Sequence, residues 1–213
     1  MRKILEIGGF VAAFILIAFG IATIVIGING RGTVRDSLKL EQITGSSDMT
    51  PSAIAAEAKQ AGLPATLSLP TVSVAGKAID TGARARAFAS YMRIHALEAT
   101  GGVPYSMMPR YASADGKGTN DPAAAQKGAN GQPLDNAARQ VWVTETALST
   151  ALNTSFMAEQ VALFSIVVGF ALLLTGIGFG ILAIGGALRN PETALTWFAR
   201  KPKSEGHGTV QSA

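Results

Sequence analysis

His95 is the residue best suited by type to chemistry in the long central part of this chain. It is the one histidine between residues 31 and 159, and Tyr91 and Glu98 lie about one helical turn to either side of it. Such a trio suits metal binding or proton transfer, but a catalytic metal centre normally takes about three protein ligands. No His-x-x-x-His pair or matching acidic cluster is present. The sequence therefore favours a histidine at the edge of a helical core, satisfied by Glu98 or a backbone carbonyl.

Other kinds of reactive site find little support. The chain has no cysteine, which excludes thiolate metal centres, iron–sulfur clusters and cysteine nucleophiles. It has no nucleophile-elbow motif, no phosphate-binding Gly-x-x-x-x-Gly-Lys-Ser/Thr loop, and only His207 in the C-terminal tail as a second histidine. Asp115, Asn120 and Asp121 are too sparse for a calcium loop. We predict no enzymatic activity, no cofactor, and no catalytic, cofactor-binding or metal-binding residues.

Two long uncharged apolar runs, residues 7–30 and 160–188, organise the chain. A bilayer core of about 30 Å needs about 20 helical residues, so each run is long enough to cross it. The first run is longer than the core of a signal peptide and lacks a good cleavage site, which favours a retained anchor. We predict transmembrane helix 1 over 7–30, transmembrane helix 2 over 160–188, and a domain over 31–159.

The distribution of charge predicts the orientation. The tails 1–6 and 189–213 together carry 6 basic and 3 acidic residues, against 12 and 11 in the much longer middle. Because short cytoplasmic flanks carry an excess of Lys and Arg, both tails should be cytoplasmic and the domain 31–159 outside the plasma membrane. This excess also explains the pI near 9.6 without nucleic-acid binding, which would need basic residues clustered on one face.

Small residues form a stripe on each predicted span, within about 40° of one line on a helical wheel. Lipid-embedded helices associate where small residues let their backbones approach, which favours an antiparallel hairpin. A stripe facing a membrane-protein partner or a second copy, and the ordinary abundance of glycine in membrane helices, remain alternatives. Neither span holds an ionisable residue, which argues against a channel or transporter. The packing residues are Gly9, Ala13, Gly20, Thr23 and Gly27, with Ser165, Gly169, Gly176, Gly180, Ala183 and Ala187.

The first half of the outer domain predicts helices joined by extended chain. Residues 34–43 are expected to continue the first span as a short amphipathic helix. Thr50 and Pro51 are typical of an N-cap followed by a first-turn proline, and the helix that they start should end at Gly62. Residues 63–78 alternate apolar and polar types between prolines, which indicates extended chain, with an edge strand or hairpin as the expected β component.

The second half of the outer domain predicts two stronger helices. One covers 82–99, with Phe88, Met92, His95 and Ala99 on one face. Residues 112–134 follow as a mobile loop or small hairpin. The last helix should begin at Asn136, be capped by Asp135 and enter the second span without a break, which would fix the domain rigidly over the bilayer. Its inward seam is predicted to contain Val141, Thr144, Leu148, Ala151, Leu152 and Ser155.

Two segments of the chain, 89–102 and 141–155, resemble a group of uncharacterised two-span membrane proteins of actinobacteria. Members often carry the label aromatic ring-opening dioxygenase. A non-haem iron site would need something like two histidines and a carboxylate, which the outer segment does not offer. Many members have two cysteines at the positions of Val72 and Ala87. The resemblance therefore implies that these two residues occupy former disulfide positions and face each other.

The sequence as a whole predicts a mainly α membrane protein, a two-helix transmembrane hairpin with a small α-rich (α+β) extracytoplasmic domain. The expected role is non-enzymatic: a structural or accessory component of a cell-envelope or membrane complex, in contact with the lipid bilayer. The alternative is a membrane-anchored extracytoplasmic ligand-binding or sensing module, with His95, Tyr91 and Arg93 as possible ligand contacts. The ring-opening enzyme, a third hypothesis, requires iron-dependent turnover of a catechol.

Overall fold

A computed structural model describes residues 2–185, and this part of the chain is mainly helical. Helix α1 covers Arg2–Leu40, α2 covers Pro51–Gln60, α3 covers Gly82–Ala99 and α4 covers Ala137–Ile184, with a single 3-10 turn at Tyr105–Met107. Helices α1 and α4 are long and apolar enough to cross a membrane. The described residues divide into two compact units, one formed by residues 2–26 and 165–185 and the other by Gly27–Phe164.

In the first unit, α1 and α4 pack against each other as antiparallel helices through glycines. A Cβ atom added to Gly20 would lie 2.8 Å from the backbone nitrogen of Leu173, and one added to Gly176 would lie 2.9 Å from that of Ile17. These distances leave no room for a side chain, so glycine permits the close approach. Large apolar side chains on the outer faces, Phe14 and Phe19 among them, are exposed as lipid-facing residues would be.

In the second unit, helix boundaries follow local capping signals. The Thr50 hydroxyl accepts a hydrogen bond from the backbone of Ala53 at 3.2 Å, and Pro51 occupies the first turn of α2. Thr81 caps α3 in the same way, accepting from the backbone of Arg84. Helix α4 is capped by Asn136, whose side chain accepts from the backbone of Ala138 at 3.1 Å. Asp135, the predicted cap, is instead in an isolated bridge with Tyr111.

Helices α2 and α3 and the chain between them enclose the main apolar core of this unit. Its largest fully buried side chains are Tyr91, Ile54, Ile79, Ile94 and Val74. A smaller cluster joins the end of α3 to the start of α4 through Leu97, Met108 and Trp142. The Trp142 indole donates to the carbonyl of Val103 at 3.0 Å, so its polar atom is satisfied despite burial.

The expected β component is reduced to isolated bridges in the part of the chain that the structure describes. Thr44 pairs with Ala78 and Gly45 with Ala75, while other bridges close the 111–135 region into a small hydrogen-bonded loop structure. Residues 63–78 make isolated bridges at Ala75 and Ala78 and no continuous ladder. In 112–134, the antiparallel bridge between Lys127 and Pro133 gives part of the segment a hairpin-like pairing.

The inward face of α4 differs from the predicted seam by a small rotation. Leu148 and Leu152 do pack against the core, but Val141 is 37% exposed, and Thr144 and Ala151 are also exposed. In the part of α4 that belongs to the second unit, the buried positions are Trp142, Glu145, Leu152, Glu159 and Ala162. Two of these are glutamates, and a hydrophobic pattern assigns glutamates to solvent unless their partners are known. On α3, Phe88 is buried as predicted whereas Ala99 is exposed.

Candidate functional site

His95 lies among carboxylates from three parts of the second unit. Its Nε2 is 3.8 Å from Oδ2 of Asp48, and its Nδ1 is 3.9 Å from Oε2 of Glu57 and 3.9 Å from Oε2 of Glu98. Asp48 lies in the turn before α2, Glu57 on α2, and His95 and Glu98 on α3. One ligand-type atom each from Asp48, Glu57 and His95 lie within 4.8 Å of one another. We call these three residues the His95 cluster.

The imidazole of His95 is incompletely satisfied. Its Nε2 is fully buried and has no hydrogen-bond partner among the described residues, since 3.8 Å exceeds hydrogen-bonding distance. An unpaired buried polar atom costs about 1–3 kcal/mol. The sequence predicts a histidine whose ring nitrogens are satisfied by hydrogen bonds to neighbouring groups, and Nε2 does not fit that prediction.

Asp48 is held ionised by its surroundings. A hydrogen bond from the Ser46 hydroxyl, backbone N–H groups and the nearby His95 hold the pKa of Asp48 below its usual value, although desolvation opposes them. The Ser46 bond is made to Oδ1, which leaves Oδ2 directed at the imidazole. The turn that carries Asp48 is itself attached to the fold, because the carbonyl of Met49 accepts a hydrogen bond from the backbone of Val74 at 3.1 Å.

The other two predicted ligand contacts lie elsewhere. Tyr91 is fully buried in the core, where its hydroxyl donates to the carbonyl of Val72 at 3.2 Å and burial raises its pKa. The Arg93 guanidinium lies 5.4 Å from the centre of the Trp142 ring. His95, Tyr91 and Arg93 therefore do not converge on one cavity.

An open groove of about 540 Å³ between α3 and α4 contains Arg93 together with Arg86, Glu145 and Asn153. Glu145 is only 5% exposed, accepts from the Ser149 hydroxyl at 2.8 Å, and forms no ion pair with any described residue. Arg86 stacks on Phe156 at 4.8 Å from the ring centre. The charged groups of this groove are thus mostly occupied by contacts within the domain.

The most strongly bonded polar residue in the second unit is Glu159. Its Oε1 accepts from Nε of Arg31 at 2.9 Å and from Nε of Arg35 at 2.8 Å, while its Oε2 accepts from the backbone N–H of Gly82 at 2.6 Å. Arg31 and Arg35 are one turn apart on α1, and Gly82 begins α3, where a helix N-terminus favours negative charge. A Cβ on Gly82 would lie 2.8 Å from Cα of Phe156, so glycine is needed there. One carboxylate therefore connects three helices.

Five of the predicted packing residues lie against the opposite helix in the first unit, namely Ala13, Gly20, Gly169, Gly176 and Gly180. Among all the predicted packing residues, Gly9, Ala13, Gly20, Gly27, Gly169, Gly176 and Ala183 are buried, whereas Thr23, Ser165 and Gly180 are partly buried. The Thr23 hydroxyl donates to the carbonyl of Phe19 within its own helix at 2.7 Å. Ala187 lies outside the described residues, as do residues 186–188 of the predicted second span and the tail 189–213.

Val72 and Ala87 both border a single cavity of about 310 Å³ beside α3. Val72 is 58% exposed, and Ala87 packs against the main core. The carbonyl of Val72 is held by Tyr91, one turn along α3 from Ala87. The two positions thus share a surface, and the implied disulfide stays a prediction.

Sequence reasoning missed Asp48 and Glu57, and it missed the ion cluster that Glu159 forms with Arg31 and Arg35, here called the Glu159 ion cluster. The ion cluster had a signal: Arg31 follows the first apolar run directly and Glu159 precedes the second, so opposite charges flank the two ends that a hairpin brings together. The His95 cluster had no comparable signal, because Asp48 and Glu57 belong to a different helix and turn with no periodic relation to His95.

Comparison of the chain with protein-family models, with curated proteins and with solved structures finds no match.

Proposed function

We propose that this protein is a non-enzymatic integral membrane protein that acts as a structural or accessory component of a cell-envelope or membrane complex. The observation that carries the proposal is that buried polar groups of the second unit bond to other parts of the same chain. Glu159, Trp142 and Tyr91 each bond to the protein's own helices and loops, which suits a domain built to hold its shape. The charge pattern supports cytoplasmic termini and a domain 31–159 outside the plasma membrane.

An exposed apolar stretch on this domain supplies a candidate contact for a membrane-protein partner or a second copy. Met107 is 73% exposed and Tyr105 is 43% exposed, two residues apart on the 3-10 turn. Aromatic and methionine side chains are enriched at protein interfaces. Substitution of Met107 by a charged residue would place a charge in such a contact without touching the core.

The test is capture of the tagged full chain from its native membrane after mild crosslinking, with identification of bound proteins by mass spectrometry. We expect a reproducible stoichiometric partner, or the chain itself, to be recovered with wild type and lost with Met107→Asp. Val72→Asp, at another exposed apolar residue, serves as the matched control. Recovery of the chain alone as a monodisperse monomer would contradict the accessory role.

The second candidate is the membrane-anchored ligand-binding or sensing module. The specific observation in its favour is the His95 cluster: Nε2 of His95 is unsatisfied and lies near Asp48, while Nδ1 of the same ring lies near Glu57 and Glu98. This candidate needs a ligand whose chemistry matches that cluster.

A further inference from the structure

The donor atoms of the His95 cluster are the kind that divalent transition metals bind. Imidazole nitrogen and carboxylate oxygen together suit zinc and related ions, which bind them at about 2.0–2.2 Å. Asp48, Glu57 and His95 supply three such atoms within 4.8 Å of one another. For ligands around a tetrahedral ion the separation is about 3.4 Å. The most widely separated atoms would need to approach by up to about 1.4 Å, which rotamer adjustment of the side chains provides.

The second observation is the unsatisfied nitrogen. His95 Nε2 is buried without a hydrogen-bond partner, although oxygens of Asp48, Glu57 and Glu98 lie within 4 Å of the ring nitrogens. If these carboxylates served only to satisfy the buried histidine, a direct hydrogen bond between the ring and one of them would be the simplest arrangement. Nitrogen and oxygen atoms that face one another just beyond bonding distance are the arrangement into which a cation fits.

The charged groups around the His95 cluster also favour the binding of a cation. Asp48, Glu57 and Glu98 form no ion pair with any described Lys or Arg, so no described Lys or Arg neutralises the carboxylates beside this imidazole. The Ser46 hydroxyl bonds the other oxygen of Asp48, and such outer contacts orient ligating carboxylates in metal sites. The cluster thus has an uncompensated negative charge and at least one oriented donor.

We propose that Asp48, Glu57 and His95 form a binding site for a divalent transition metal of the zinc class. The metal would connect the turn before α2, α2 itself and α3. The site would give the sensing alternative its ligand, but it does not depend on the accessory role. Metal binding needs only the purified chain, whereas the accessory role is tested by partner capture, so either can fail while the other stands.

The experiment is equilibrium dialysis of the full chain, purified in mild detergent and freed of metal with a chelator, against ZnCl₂, followed by metal analysis. We expect one saturable Zn²⁺ per chain and a rise in apparent Tm on binding. Loss of outer contacts alone costs about 10–100-fold in metal affinity, so His95→Gln, Asp48→Asn and Glu57→Gln should each weaken binding by at least about tenfold.

Two controls make the result specific. His207→Gln removes the second histidine and Asp121→Asn removes an acidic residue of the 112–134 region, and both should leave binding unchanged. Helix content by circular dichroism confirms that each variant folds, and Asp48→Asn, in a turn, keeps the test valid if His95→Gln is destabilised. The proposal is overturned if stoichiometric binding is absent, if all three cluster variants bind as wild type does, or if His207→Gln abolishes binding.

Discussion

At the scale of single residues, Glu159 shows how one buried charge can organise a helical domain. Its side chain is only 7% exposed, and a carboxylate placed there without partners would be strongly destabilising. Two guanidinium groups and the first backbone N–H of α3 supply those partners. These bonds fix the relative orientation of three helices at once. Apolar contacts alone are less directional and would fix that orientation less strictly.

We expect Glu159→Gln to destabilise the protein by about 1–3 kcal/mol. The amide is nearly isosteric, but it loses both charge-assisted bonds and leaves two arginines facing a neutral group. The estimate lies below the range for a fully buried pair because Arg31 and Arg35 are 40% and 36% exposed. The measurement is the apparent Tm in detergent, followed by loss of helical circular dichroism.

Glu145→Gln is the matched control for that prediction. Glu145 is a second buried glutamate on the same helix, but it bonds only hydroxyl groups and no described cation. Its conversion to glutamine removes the cost of burying a charge and keeps the Ser149 contact, so we expect an unchanged or higher apparent Tm. Equal losses from the two variants would show that the Glu159 ion cluster has no special role.

At the scale of elements, the contact between α1 and α4 in the first unit depends on backbone approach. The glycines that matter are those where an added Cβ meets backbone atoms, since a backbone cannot move aside as a side chain can. Gly20, Gly169 and Gly176 satisfy this condition, whereas Gly8 and Gly178 have open space around them. Glycine abundance by itself therefore does not identify the packing positions.

We expect Gly176→Val to separate the helices and lower the apparent Tm, with an overpacking cost of about 1–3 kcal/mol. The added Cβ would lie 2.9 Å from the backbone nitrogen of Ile17 and 3.0 Å from the carbonyl oxygen of Ala13. Gly178→Val, two residues away in open space, should have no effect. The same thermal measurement in detergent distinguishes the two, and equal behaviour would contradict a hairpin packed through Gly176.

A disulfide provides an independent test of the same contact. A Cβ on Gly180 would lie 3.8 Å from Cβ of Ala13, which matches the usual separation in disulfides. Because the chain has no cysteine, the double variant Ala13→Cys with Gly180→Cys carries no competing thiol. We expect it to form an intramolecular disulfide on mild oxidation, seen as a mobility shift reversed by reductant. Ala13→Cys with Gly178→Cys is the control, and crosslinking only between chains would favour a partner-facing stripe.

At the scale of the whole molecule, topology is the property that decides which partners and ligands are available. The absence of cysteine again makes the test direct. We expect Asp121→Cys to react with a membrane-impermeant maleimide on intact cells, and Ser212→Cys to react only after the membrane is opened. The physical reason is the positive charge of the short tails, which is retained on the cytoplasmic side. The opposite labelling pattern would reverse the assignment.

Much of the helical structure was predictable because its signals are local. Thr50 and Pro51 start α2 by capping chemistry that needs only adjacent residues, and Gly101 and Gly102 end α3 because both adopt positive φ. The two long apolar helices follow from composition and length alone. These features require no knowledge of the rest of the chain.

The tertiary structure decided which faces turn inward and which distant residues meet. Trp142 and Glu159 lie on the buried side of α4, although a pattern of hydrophobicity would turn the glutamate to solvent, because its partners Arg31 and Gly82 come from other helices. The approach of Asp48 and Glu57 to His95 likewise depends on how α2 packs on α3. Local propensity carries no information about such contacts, whereas packing fixes them through shape and charge together.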